Sequence, residues 1–125
     1  MKIVRTLAGA LALCALVFFS AACSDPAAGA LNINDVKSDP TAFTGEITVT
    51  GIMGAVHPRD PQIIGIMDKA ELTCTSPNCN KFYLPVRYAG ERPAMGDEVV
   101  VTGTFMPGGQ LFAATAVKVL RNHKL

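Results

Sequence analysis

Two hydrophobic regimes divide the chain. Residues 6–24 carry no charge, and Leu7–Phe19 is an unbroken run of apolar and small residues. From Glu46 onward the repeat becomes two, the period of a strand with one buried face. Over Glu46–Val56, Ile47, Val49, Gly51 and Met53 alternate with Glu46, Thr48, Thr50 and Ile52. His57-Pro58-Arg59-Asp60-Pro61 breaks the pattern as a polar turn. Gln62–Asp68 predicts a second strand and Lys81–Tyr88 a third. The third sets Phe82, Leu84, Val86 and Tyr88 on one face and Pro85 on the other, which suggests an edge strand or a bulge. Glu98–Met106 predicts a fourth strand with Val99, Val101 and Phe105 facing in. After a tight turn at Pro107-Gly108-Gly109, Gln110–Arg121 predicts a fifth, with Ala113, Thr115, Val117 and Val119 on one face. Ahead of the strands, Asp39 is placed to cap a helical turn that starts at Pro40 and ends at Gly45, and Phe43 is expected to plug one end of the core.

The stretch Ile47-Thr48-Val49-Thr50-Gly51-Ile52-Met53 is echoed by Val99-Val100-Val101-Thr102-Gly103-Thr104-Phe105. A mid-strand glycine is costly unless the strand must bend, and two bent strands among five short ones predict closure into a small barrel. The expected fold is all-β, a five-stranded OB-type barrel over residues 32–125. An open sandwich with two bulged strands is the alternative. The run Asp39-Pro40-x-x-Phe43-x-Gly45-x-Ile47-x-Val49-x-Gly51 resembles the start of small OB-fold domains exported to the bacterial periplasm. That resemblance implies a fold and leaves the ligand open.

The N-terminal regime reads as an export signal. Lys2 and Arg5 precede the apolar run, and Ser20-Ala21-Ala22 supplies small residues before Cys23. This layout resembles the lipobox of bacterial lipoproteins. The resemblance implies removal of residues 1–22 as a signal peptide, a diacylglycerol on Cys23, and a membrane partner reached through that lipid. Ser20 stands where the family has an aliphatic residue, so plain cleavage after Ala22 and an uncleaved anchor stay open. Ser24 after the cysteine resembles lipoproteins sorted to the outer membrane, on its periplasmic side. Residues 23–31 are small and contain Pro26 and Gly29, as a tether would.

Charge narrows the possible partners. The chain carries 11 Lys+Arg against 10 Asp+Glu, and loss of Lys2 and Arg5 brings the remainder to a formal −1. No basic footprint for nucleic acid is present. A body this small buries a modest share of its surface, so a covalent staple would help it. Cys74 and Cys79 (CTSPNC) lie between the second and third strands, and in an oxidising compartment they are expected to form a disulfide. Closing so short a loop is worth about 2 kcal/mol. Two alternatives stay open. One is a redox dithiol, for which the spacing is not C-x-x-C. The other is a metal site shared with His57, or with Asp68 and Glu71.

Asp68 and Glu71 are expected in a solvated turn, and His57 in a polar one. Lys81, Tyr83, Arg87 and Arg92 are candidates to line one barrel face. The second half also carries Val86-x-Tyr88-x-Gly90-x-x-Pro93, then Gly96-Asp97-Glu98-Val99-Val100-Val101-x-Gly103, then Val119-Leu120-x-x-His123. It is similar to the periplasmic heme chaperone of cytochrome c maturation. That resemblance implies heme carriage on His123, against a plain reading of His123 as a solvated tail residue. No nucleophile elbow, phosphate loop or His-x-x-x-His pair is visible. The expected role is therefore binding of an envelope protein or a small ligand, without catalysis and with no cofactor. The site is expected on the face of the second and third strands with their loops.

Overall fold

The computed structural model describes residues 28–74, 79 and 81–125. Six strands form one sheet: β1 (Leu31–Asn32), β2 (Ile47–Val56), β3 (Ile63–Met67), β4 (Tyr83–Arg87), β5 (Asp97–Phe105) and β6 (Phe112–Asn122). β2 pairs antiparallel with both β3 and β5, β3 with β4, and β5 with β6, while β4 and β6 run parallel. These pairings close the five longer strands into a ring, β2-β3-β4-β6-β5-β2. The fold is all-β, and the ring closure expected from the glycine echo is present; the sheet has six strands rather than the expected five, because the two-residue β1 adds to one edge of β2.

The ring is filled from its inner faces. Val49 and Met53 of β2, Ile64 and Ile66 of β3, Leu84 and Val86 of β4, Val99 and Val101 of β5, and Phe112 of β6 make one buried cluster. Phe105 packs edge-on against Phe112, with ring centroids 5.0 Å apart. Phe43 is half-buried against the same cluster, as expected of a plug.

Gly51 and Gly103 sit where neighbouring backbone comes too close for a side chain. A methyl group at Gly51 would meet the Met67 carbonyl, and one at Gly103 the Ala113 carbonyl. Gly103 also marks a β-bulge against β6. The two glycines thus have the same role, admitting close backbone approach on β2 and on β5.

The sequence pattern missed β1 and a helix, α1, over Ile33–Lys37. Five residues are far below the length at which an isolated helix holds. Its support is tertiary. Ile33 and Val36 are both fully buried, which contributes roughly 3–6 kcal/mol before entropy. The Asp35 carboxylate also accepts the Asn32 N–H at 2.9 Å, securing the first turn. Leu31, in the expected tether, lies in β1 and pairs parallel with Val49.

Three expectations need correction. Pro40–Ala42 is a single 3-10 turn, and the Asp39 carboxylate accepts the Thr41 hydroxyl at 2.8 Å in place of a backbone cap. In β6, Ala113, Thr115, Val117 and Val119 do not share a face. Opposite Thr102/Gly103 and Glu98/Val99, β6 carries an extra residue each time (Thr115 and Leu120), and each bulge shifts the alternation by one. Phe112 and Ala114 therefore share the core with Val117. Finally, Ile52 and Thr50, assigned to the polar face of β2, are buried; Ile52 stands opposite Met67, which is buried too.

Candidate functional site

The outer face of β2, β3 and β4 carries a groove of about 240 Å³. Its construction starts from two glycines. β2 bulges at Gly54, between Met53 and Ala55, and Gly65 lies opposite Ala55 on β3. With no side chain at either position, the Tyr83 ring from β4 lies down across them. A methyl at Gly54 would stand 2.7 Å from Tyr83 Cε1, and one at Gly65 3.0 Å from Tyr83 Cβ. Tyr83 keeps 36% of its surface exposed, so one side of the ring is available. Ala55, Val56, Pro58, Ile63 and Pro85 complete an apolar wall. Two prolines and a seated ring make the groove stiff, which lowers the entropy cost of binding.

His57 stands at the head of the groove, in the turn to β3. Its N–H bonds the Ile63 carbonyl at 2.8 Å, and Ile63 N–H bonds the Asp60 carbonyl at 3.0 Å. The ring Nδ1 accepts from Arg59 N–H (3.2 Å) and Asp60 N–H (3.1 Å). Those bonds assign the proton to Nε2, the nitrogen left for a ligand. Asp60 in turn bonds Gln62 N–H at 3.1 Å and lies 3.6 Å from Arg87. The Arg87 and Asp60 side chains are 48% and 36% exposed, so this pair contributes little to stability. It does pair the cation that shares the outer face of β4 with Tyr83.

Cys74 and Cys79 lie at disulfide-bonding distance, with Cα atoms 6.2 Å apart. The bridge closes the connection between a 3-10 turn (Lys69–Thr73) and β4, and Lys81 N–H bonds the Cys79 carbonyl at 3.1 Å. It therefore fixes the chain just before Tyr83.

Asp68 is buried, contrary to the expectation of a solvated carboxylate pair with Glu71. It accepts Asn34 N–H and Ala70 N–H, both at 2.9 Å, and so ties α1 to the turn after β3. With both oxygens accepting backbone donors, it is placed as a clamp rather than as an acid or base.

His123 is exposed as a residue, yet its ring is anchored. Its Nε2 lies 2.9 Å from Glu98 Oε1, the two side chains being 29% and 10% exposed. Arg121 Nε stands 3.9 Å from the same oxygen, and His123 N–H bonds the Gly96 carbonyl at 2.9 Å. To ligate heme or metal through Nε2, His123 would have to leave a buried carboxylate.

Lys81, Tyr83, Arg87 and Arg92 do not form one row. Tyr83 and Arg87 share the outer face of β4, Lys81 precedes the strand, and Arg92 lines a different cavity with Tyr88 and Val117. Cys23 lies outside the described residues.

Glu98, Gly54 and Gly65 were missed as site-building residues. For the glycines no local signal existed, because Tyr83, which rests on them, lies on another strand. For Glu98 there was none, since its partner lies 25 residues away.

The groove is smaller than the 300–1,000 Å³ of pockets that enclose drug-sized ligands. It takes a single ring or one or two apolar side chains, and it does not enclose a macrocycle such as heme. Comparison with known families, curated proteins and solved structures returned no match.

Proposed function

We propose that the chain is a lipid-anchored module of the bacterial cell envelope. It holds a ligand on the outer face of β2, β3 and β4 and carries out no chemical step. The observation that carries this reading is the apolar groove beside Tyr83, seated on Gly54 and Gly65 and headed by His57. An exposed aromatic ring on a stiff bed offers a stacking surface at low entropic cost. The Nε2–H of His57 adds one directional polar contact at the groove's end. The ligand class that fits is a planar ring or an apolar side chain with a hydrogen-bond acceptor at its edge. Anchoring rests on the export signal and on Cys23 behind Ala21-Ala22. The formal −1 charge of the remainder, together with the pairing of Arg87 to Asp60, argues against a nucleic-acid ligand.

Purification of the protein from its native membrane, followed by intact mass and extraction of co-purifying small molecules, tests both halves. The expected mass begins at Cys23, carries acyl chains and lacks the two hydrogens of a free dithiol. The expected extract contains a compound lost from a Tyr83→Ala variant that retains its fold. A retained N-terminal segment without acyl chains would overturn the anchor. Turnover of a substrate by the purified chain would overturn the non-catalytic reading.

A further inference from the structure

The ring of strands has one weak seam. β4 and β6 pair only at Val86↔Phe112 and Arg87↔Ala113, although β6 runs on to Asn122. Among the described residues, the stretch from Ala114 to Asn122 is paired on one side alone, by β5. Val117 and Val119 lie opposite Val101 and Val99, both fully buried, so they belong to the inner side of the sheet. Val119 is nevertheless 48% exposed. A cavity of about 420 Å³ opens over these two valines, walled by Tyr88, Glu91, Arg92 and Pro93 of the β4–β5 connection. That wall is pinned at both ends: Tyr88 N–H bonds the Gln62 carbonyl at 2.9 Å, and Gly96 N–H bonds the Met53 carbonyl at 2.8 Å. Asp97 holds it further, accepting Ala94 N–H and the Asn122 amide, both at 2.8 Å.

We infer that this seam accepts an extended segment of a partner polypeptide as an added strand along β6. An open strand edge supplies unpaired N–H and C=O groups in register, and alternate side chains of the incoming strand reach one face. Val117 and Val119 are two residues apart, so two consecutive inward side chains of the guest stand over them, and apolar ones fill the cavity. The outward positions meet Lys118, whose residue lies opposite Val100 on the other face of the sheet, and Arg121 farther along. At the rim Arg92 is offset by Glu91 and Asp97, and Arg121 already stands 3.9 Å from Glu98, so Lys118 is the cation that sets the guest's charge. The guest therefore alternates apolar residues with acidic ones. A second copy of this chain fits poorly, because it would bring Lys118 and Arg121 against their own counterparts. The surface is separate from the Tyr83 groove, so either assignment can fail without the other.

The test uses the full chain in detergent and labelled peptides of roughly eight residues, the length of a long strand. One peptide alternates Val with Glu, a second alternates Val with Lys, and a third is the Val/Glu peptide with a central Pro. The Val/Glu peptide is expected to bind and to slow amide exchange at Thr115–Leu120. The Val/Lys peptide is expected to bind on the order of fivefold more weakly for each charge pair reversed. Lys118→Glu, an exposed substitution, is expected to invert that preference, and the Pro peptide is expected to lose binding. Equal binding of the Pro peptide, protection confined to β3 and β4, or dimerisation of the chain through β6 without peptide would each overturn the inference.

Discussion

Replacing Gly51 with Ala tests why the ring closes where it does. The residue lies in mid-β2 opposite Val99, and an added methyl would overlap the Met67 carbonyl and stand 2.7 Å from Ile66 Cγ2 and 2.9 Å from Ile33 Cγ1. The two isoleucine tips can swing aside. The Met67 carbonyl cannot, because Met67 is registered with Ile52 in the β2–β3 ladder. Overpacking of this kind costs up to about 3 kcal/mol, and a loosened ladder bond adds about 1 kcal/mol. The lower entropy of the unfolded Ala chain returns roughly 0.4–1 kcal/mol. The net loss is about 3 kcal/mol, or some 12–24 °C in melting temperature for a domain of this size. Gly54→Ala is the matched control. Its nearest obstacles are Tyr83 Cε1 at 2.7 Å and Met67 Sδ at 3.4 Å, both side-chain atoms that can rotate away. It is expected to cost less than about 1 kcal/mol while displacing the ring. Urea unfolding followed by circular dichroism measures both, with an unchanged slope expected. If the two substitutions cost the same, or if Gly51→Ala falls within about 0.5 kcal/mol of the parent, close backbone approach is not what demands glycine there.

Two further outcomes follow from local contacts. Cys74→Ala/Cys79→Ala is expected to lose about 2 kcal/mol with its strand content intact, and reduction of the parent should reproduce that loss in the same urea assay. His123→Ala leaves Glu98 buried with only Arg121 at 3.9 Å, so a loss of roughly 1–3 kcal/mol is expected, together with faster amide exchange at residues 122–124; an unchanged melting temperature would mean that the contact holds nothing.

The strands were legible because alternation survives in short segments. Ile64 and Ile66, Leu84 and Val86, and Val99 and Val101 all face the core as their period predicts. The glycine echo was legible as well, and what it marks at both positions is close backbone approach; the register shifts at Gly103 and stays regular at Gly51. What escaped were features without a local period. Leu31, Ile33 and Val36 are too few to declare a strand and a helix, and their order comes from the core they cover. A bulge inserts one residue and leaves composition unchanged, so the face of β6 was misread beyond Thr102. Asp68 read as a solvated turn residue, and Glu98 only as the start of a strand, because Asn34 and His123, their partners, lie 34 and 25 residues away. The groove was half legible: its face was expected, while its bed of two glycines under Tyr83 was not.

The central claim is that the Tyr83 groove is a ligand site, and the most direct measurement is nuclear magnetic resonance mapping of small ring fragments on the full chain. Fragments carrying an acceptor at the ring edge are expected to shift the signals of Ala55, Val56, His57, Ile63 and Tyr83 together. Tyr83→Ala is expected to abolish those shifts while the dispersion of the remaining spectrum is kept. Fragments that gather elsewhere on the surface, or that bind the Tyr83→Ala variant as well as the parent, would contradict it.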